Sequence, residues 1–74
     1  MKSVEEILKG IKPGVDFQKE KELIKNNILT SFDIITLVAN LSSEYDISIN
    51  VTDIVPENFQ SLKAIEKLID VKRG

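Results

Sequence analysis

Ile34, Leu37, Val38, Leu41 and Tyr45 stand at i, i+3, i+4, i+7 and i+11, the spacing of a helix that buries one stripe. Two other segments share that period. Ser3-Val4-Glu5-Glu6 matches a capping box, Val4, Ile7, Leu8 and Ile11 follow at helical spacing, and Pro13-Gly14 supplies a stop, so a first helix is expected over Val4–Ile11. A last helix is expected from Ser61, with Leu62, Ile65, Leu68 and Ile69 on its apolar face and Lys63, Glu66, Lys67 and Asp70 opposite. The Val71-Lys72-Arg73-Gly74 tail is expected to fray. Asp46-Ile47-Ser48-Ile49-Asn50-Val51 alternates as a strand would, but a lone strand has no partner in this chain and is rejected. Thr52-Asp53-Ile54-Val55 reads as one capped turn that Pro56 ends. Between the first two helices, Val15–Leu29 forms no single stripe and reads as a long loop with one helical turn around Glu20–Lys25. Loops of that length are usually tied down or functional, and Phe17, Ile24 and Ile28 are the candidate ties. The expected fold is all-α: a small bundle of three principal helices plus a short one, a single domain over residues 1–74.

Composition removes most chemistry from such a bundle. The chain has no cysteine and no histidine, hence no disulfide, no thiolate nucleophile, no imidazole base and no zinc site of the usual kind. No catalytic residue is expected, and no metal. Twelve Asp and Glu against ten Lys and Arg give a formal charge of −2, the wrong sign for counterion-driven binding to nucleic acid or an anionic membrane. The apolar runs are too short to span a bilayer, and Met1-Lys2-Ser3 leads straight into an amphipathic pattern. A cytoplasmic monomer, without membrane insertion, is the expectation.

The second helix carries more apolar surface than one stripe. Phe32, Ile35 and Ala39 fall roughly 100–160° around the wheel from the buried stripe, and Asp33, Asn40 and Glu44 form an acidic edge on the remaining side. Either the Val15–Leu29 loop folds over Phe32 and Ile35 as core, or they await a partner protein. At the head of this helix, Thr30-Ser31-Phe32-Asp33 fits a capping box with Thr30 as N-cap and Asp33 at the third position. Ser31 is then the first helical residue, and its hydroxyl is not needed for the cap. Such a serine is either a bystander of the cap or a hydroxyl presented for modification, since the helix dipole and free N–H groups there favour an incoming phosphate. No general base lies nearby in the sequence, so another enzyme must do any chemistry on it.

Leu29-Thr30-Ser31-Phe32-Asp33-Ile34-Ile35-Thr36-Leu37-Val38, followed by Leu41, Glu44 and Tyr45, resembles the prosthetic-group segment of acyl carrier proteins. The resemblance covers nearly the whole chain: a first helix, a long loop, the serine-led helix, a short third helix ending in Val55-Pro56, and a last element led by Ser61-Leu62-Lys63-Ala64-Ile65. It implies that Ser31 is the attachment point for 4′-phosphopantetheine, transferred from coenzyme A by a separate phosphopantetheinyl transferase. The arm ends in a thiol, so a chain without cysteine could carry an acyl or aminoacyl group as a thioester. By the same resemblance Phe32, Asp33, Ile35 and Glu44 lie on the face read by partner enzymes that activate or transfer acyl groups. Thr30 stands where the family usually has Asp, a carboxylate that helps the transferase and its magnesium ion engage the carrier. Thr36 and Asn40 likewise replace residues that are acidic in many members. Fatty-acid, polyketide and D-alanyl carriers share this kind of helix, whereas most peptidyl carriers have a glycine-rich lead before the serine that is missing here. Two other functions fit the same residues: a degenerate carrier that binds partners without an arm, and a plain helical interaction domain in which Ser31 only accompanies a cap.

Overall fold

The computed structural model describes residues 2–74, leaving Met1 outside. Helix α1 spans Val4–Ile11, α2 Ser31–Tyr45, α3 Pro56–Phe59 and α4 Leu62–Arg73, with a 3₁₀ turn at Val51–Asp53. Among the described residues all regular structure is helical, as the periodicity requires.

Local chemistry sets the helix ends. Ser3 Oγ accepts the Glu6 N–H (3.2 Å) while Glu6 Oε1 accepts the Ser3 N–H (3.2 Å), which completes the capping box that starts α1. The helix stops at Lys12, ahead of Pro13 and of Gly14 with φ +94°, a left-handed turn that glycine adopts without strain. Asp46 closes α2 in the left-handed conformation, and Ser61 caps α4 by accepting the Ala64 N–H (3.1 Å).

Three details differ from the sequence expectation. Pro56 begins a helix instead of merely ending a turn, because the first helical position needs no N–H and suits the fixed φ of proline. The capped turn before it lies at Val51–Asp53, starting one residue and ending two residues earlier than the expected Thr52–Val55, with the Asn50 N–H donating to Asp53 Oδ2 (2.9 Å). The short third helix accordingly starts at Pro56 and does not end in Val55-Pro56. The C-terminal residues do not fray: Lys72 Nζ lies 2.6 Å from Asp53 Oδ2, and the Arg73 guanidinium sits 5.7 Å from the centre of the Tyr45 ring. Both cations also meet the negative end of α4.

The long loop is part of the core. Phe17, Leu23 and Leu29 are buried, while Ile24 and Ile28 pack partly buried against them. Phe17, Ile24 and Ile28 therefore act as the expected ties, and Leu23 and Leu29 go deeper than the pattern suggests. The Leu23 N–H donates to the Gln60 carbonyl (2.8 Å), and the Leu23 carbonyl accepts the N–H groups of Ile28 (2.9 Å) and Leu29 (3.0 Å). In place of the expected helical turn there is a non-helical turn, in which the Asn26 N–H donates to the Glu22 carbonyl (2.9 Å) and the Asn27 N–H to the Ile24 carbonyl (3.1 Å), with Asn27 at φ 57°.

Helices α1, α2 and α4 enclose the remainder of the core, and α3 packs on α4. Leu8, Leu37, Leu41, Phe59 and Ile65 are fully buried there. Ile34, Val38 and Tyr45 complete the α2 stripe at its margins, and the Tyr45 hydroxyl donates to the Lys2 carbonyl (2.8 Å). In contrast Phe32 is 77% and Ile35 67% exposed, so the loop does not cover them.

Replacing Leu37 or Leu41 with Ala should therefore cost about 2–5 kcal/mol through lost burial and a residual cavity. Phe32→Ala and Ile35→Ala should stay within about 0.5 kcal/mol of the parent, as expected of surface positions. Urea unfolding of the four variants tests the contrast, and comparable losses in all four would contradict it.

Candidate functional site

Ser31 opens α2 as its first helical residue and is exposed. The cap before it runs through its neighbours. Thr30 Oγ1 accepts the Asp33 N–H (3.2 Å) and donates its proton to Asp33 Oδ2 (3.0 Å), while the same carboxylate oxygen accepts the Thr30 N–H (3.0 Å). These bonds leave the Ser31 hydroxyl out of the cap. At this end of α2 the positive pole of the helix faces outward, next to an oxygen available for derivatisation.

Asp33 is not on an exposed edge. It is 9% exposed, and its Oδ2 also lies 3.1 Å from Lys12 Nζ, which reaches across from the end of α1. The Thr30 N–H foremost, and then Lys12, hold the Asp33 carboxyl below the usual carboxylate range against the opposing effect of burial. The acidic edge expected at Asp33, Asn40 and Glu44 is thus corrected at its first member, where cap and ion pair draw the carboxylate inward. Glu44, half-buried near the other end of the helix, accepts the Lys2 N–H on Oε2 (3.1 Å).

Two clefts flank α2, and the residues singled out in the sequence divide between them. On one side Ser31, Ile34 and Ile35 meet Ile24 from the loop and Ile54, Val55, Pro56 and Phe59 from the 3₁₀–α3 segment, around a cleft of about 320 Å³. Apart from Ser31, its lining side chains are all apolar. On the other side Phe32, Asp33, Thr36, Asn40 and Glu44 face Glu6, Ile7, Gly10 and Ile11 of α1 across a groove of about 480 Å³. Ser31 and Ile35 therefore share one flank, while Phe32, Asp33 and Glu44 share the other.

The sequence reading did not identify Ile54, Val55, Pro56 and Phe59 as a cleft wall, nor Lys12 as a partner of Asp33. A turn-like signal at Ile54-Val55 was visible, but no local signal relates it to Ser31. Lys12 reads in sequence as an ordinary solvent-exposed charge at a helix end.

No protein-family model matches the chain, and no solved structure matches it. Over 41 residues the sequence is 39% identical to aminoacyl carrier protein 1 of Bradyrhizobium diazoefficiens, a stretch covering 55% of this chain. The likeness is to a carrier protein. The matched stretch spans 46% of that relative's length, less than half of it.

Because the Asp33 carboxylate is favoured in its charged form by the fold, its contribution to stability is present above the ordinary value of 3.8 and is lost as pH falls through the lower folded value. Asp33→Asn should lower the melting temperature near neutral pH, and its deficit relative to the parent should shrink below pH 3.8. Asp53, also held low by the Lys72 ammonium and then the Asn50 N–H, is common to both proteins and cancels in the difference. Paired thermal melts across the acid range check this, and a deficit independent of pH would count against it.

Proposed function

We propose that the chain is a carrier of the acyl-carrier type, modified on Ser31 with 4′-phosphopantetheine and delivering acyl or aminoacyl groups to partner enzymes. The observation that carries the reading is an exposed serine at the first position of α2, outside the cap bonds, beside an apolar cleft. The partial likeness to an aminoacyl carrier protein supports the same class of function. An aminoacyl cargo is consistent with that relative, and fatty-acyl and other acyl cargoes belong to the same reading.

Ser31 fits the group chemically, because its oxygen is open to solvent and the helix pole beside it favours a phosphate. In the attachment step a separate transferase joins Ser31 Oγ to the phosphorus of the pantetheine phosphate in coenzyme A. As that bond forms, the pyrophosphate P–O bond breaks, adenosine 3′,5′-bisphosphate leaves with its electron pair, and the serine proton passes to a base of the transferase. When bound, the arm supplies a terminal thiol that holds cargo as a thioester. The chain itself contributes position: α2 presents the serine, the cap holds the first turn, and the exposed Phe32 and Ile35 offer docking surface to the transferase and to enzymes that load or unload cargo. It performs no catalysis of its own in this reading. Its net charge and short apolar runs favour a cytoplasmic monomer, and no helix among the described residues is long and apolar enough to cross a membrane.

A second reading keeps the surface and omits the arm. Thr30 contributes a hydroxyl where a carboxylate would help a transferase hold magnesium, and Asp33 already accepts three donors, so the first turn offers no free carboxylate. That arrangement favours an unmodified interaction module.

Co-expression with a promiscuous phosphopantetheinyl transferase, followed by intact-mass measurement, separates the two. The carrier reading expects a mass increase of one phosphopantetheine that disappears in Ser31→Ala. An unchanged mass with several transferases supports the interaction module instead.

A further inference from the structure

Between Leu41 and Phe59 no side chain is buried. Ile47 and Ile49 reach only the margin of the core, and the 3₁₀ turn at Val51–Asp53 buries none of its residues. That stretch nevertheless supplies a wall of the cleft beside Ser31, through Ile54, Val55 and Pro56. A wall with so little apolar burial belongs to the part of a fold that opens most easily, unless a polar contact holds it.

The contact is made by Asp53. Its Oδ2 accepts the Asn50 N–H (2.9 Å) and lies 2.6 Å from Lys72 Nζ, while its carbonyl accepts a proton from Asn58 Nδ2 (2.7 Å) and the Val55 N–H (3.0 Å). The bonds to Asn50, Val55 and Asn58 stay within the stretch and give it shape. Lys72 alone of these partners comes from α4, a helix anchored by its buried Leu68 and Ile69. Among the described residues it makes the one ion pair of the stretch. The two side chains are 21% and 20% exposed, so the pair is screened less than one in open water. Beyond Pro56 the chain is fixed again, by buried Phe59 and by the bond from the Leu23 N–H to the Gln60 carbonyl.

We propose that Asp53 and Lys72 form a latch on the cleft: closed, it holds Ile54, Val55 and Pro56 opposite Ile34 and Ile35; broken, it frees residues 46–58 to swing away from α2, and the cleft loses that wall. Apart from Ser31 the lining is apolar, so the ligand that favours the closed state is an apolar chain and not a charged group. The inference goes beyond the carrier reading and stands without it, because every contact it uses lies in the unmodified chain.

Amide hydrogen exchange followed by NMR on the unmodified parent, Lys72→Met, Lys72→Arg and Asp53→Asn tests the latch. Asp53→Asn keeps an oxygen for the Asn50 N–H and removes the charge that meets Lys72. The N–H groups of Asp53, Ile54 and Asn58, each bonded within the stretch, should exchange about three- to ten-fold faster in Lys72→Met and Asp53→Asn and near the parental rate in Lys72→Arg, with Leu37 and Leu41 in α2 unchanged. Adding 1-octanol to the parent should slow the same three amides, by about two-fold when its concentration equals its dissociation constant, because a ligand of the walled cleft favours the closed state. Parental exchange in both Lys72→Met and Asp53→Asn overturns the latch, and so does an equal acceleration in α2, which marks global unfolding. If Lys72→Met does not fold, Asp53→Asn decides. Octanol without effect on the three amides overturns the link between the latch and an apolar ligand. None of these measurements involves Ser31, so a parent that gains no phosphopantetheine overturns the carrier reading and leaves the latch in place.

Discussion

Burial of Phe17, Leu23 and Leu29 from a segment without a helix of its own is the constraint on which the rest of the molecule depends. A chain of this size has no disulfide to restrict its unfolded state, so its stability must come from one apolar cluster. Three amphipathic helices supply most of that cluster, but they leave a gap that the loop fills. The bond from the Leu23 N–H to the Gln60 carbonyl fastens the loop to the end of α3. That attachment brings Ile24 opposite Ile54, Val55 and Phe59, and so forms the cleft beside Ser31.

The same loop accounts for what α2 leaves exposed. Because the apolar side chains of the loop are committed to the core, none remains to cover Phe32 and Ile35. A helix with one stripe inside and another outside then divides its apolar residues: Leu37 and Leu41 hold the fold, while Phe32 and Ile35 stay in solvent, where the proposed function uses them as docking surface. Charge is arranged with similar economy at its first turn. Asp33 completes a cap, receives an ammonium from α1 and lies largely out of solvent, so the most prominent exposed features there are a hydroxyl and an aromatic ring.

Much of the fold was legible in the sequence. The bounds of α1, the cap at Thr30, the stripe of α2 and the apolar face of α4 follow from residues within one or two turns of each other, where helix geometry makes spacing a direct guide to contact. Pro56 was harder to read, since the same ring that ends one turn is well suited to start the next. The tail was misread for a different reason: Lys72 and Arg73 look like a fraying end until Asp53 and Tyr45 are brought beside them. At the candidate site the sequence identified Ser31, Phe32 and Ile35, but it placed Asp33 on the outside because a helical wheel does not include the cation of another helix.

The sequence by itself therefore determined where the helices lie, that Ser31 follows an N-cap without being needed for it, and that the chain lacks the side chains of most catalytic sites. These are matters of spacing, capping and composition, all local to the chain. Only the tertiary structure decided that the loop enters the core, that Phe32 and Ile35 stay uncovered, that an apolar cleft opens beside Ser31, and that Lys12 pairs with Asp33. Each of those depends on residues distant in sequence competing for the same limited buried volume or the same charge, and no single segment records the outcome of that competition.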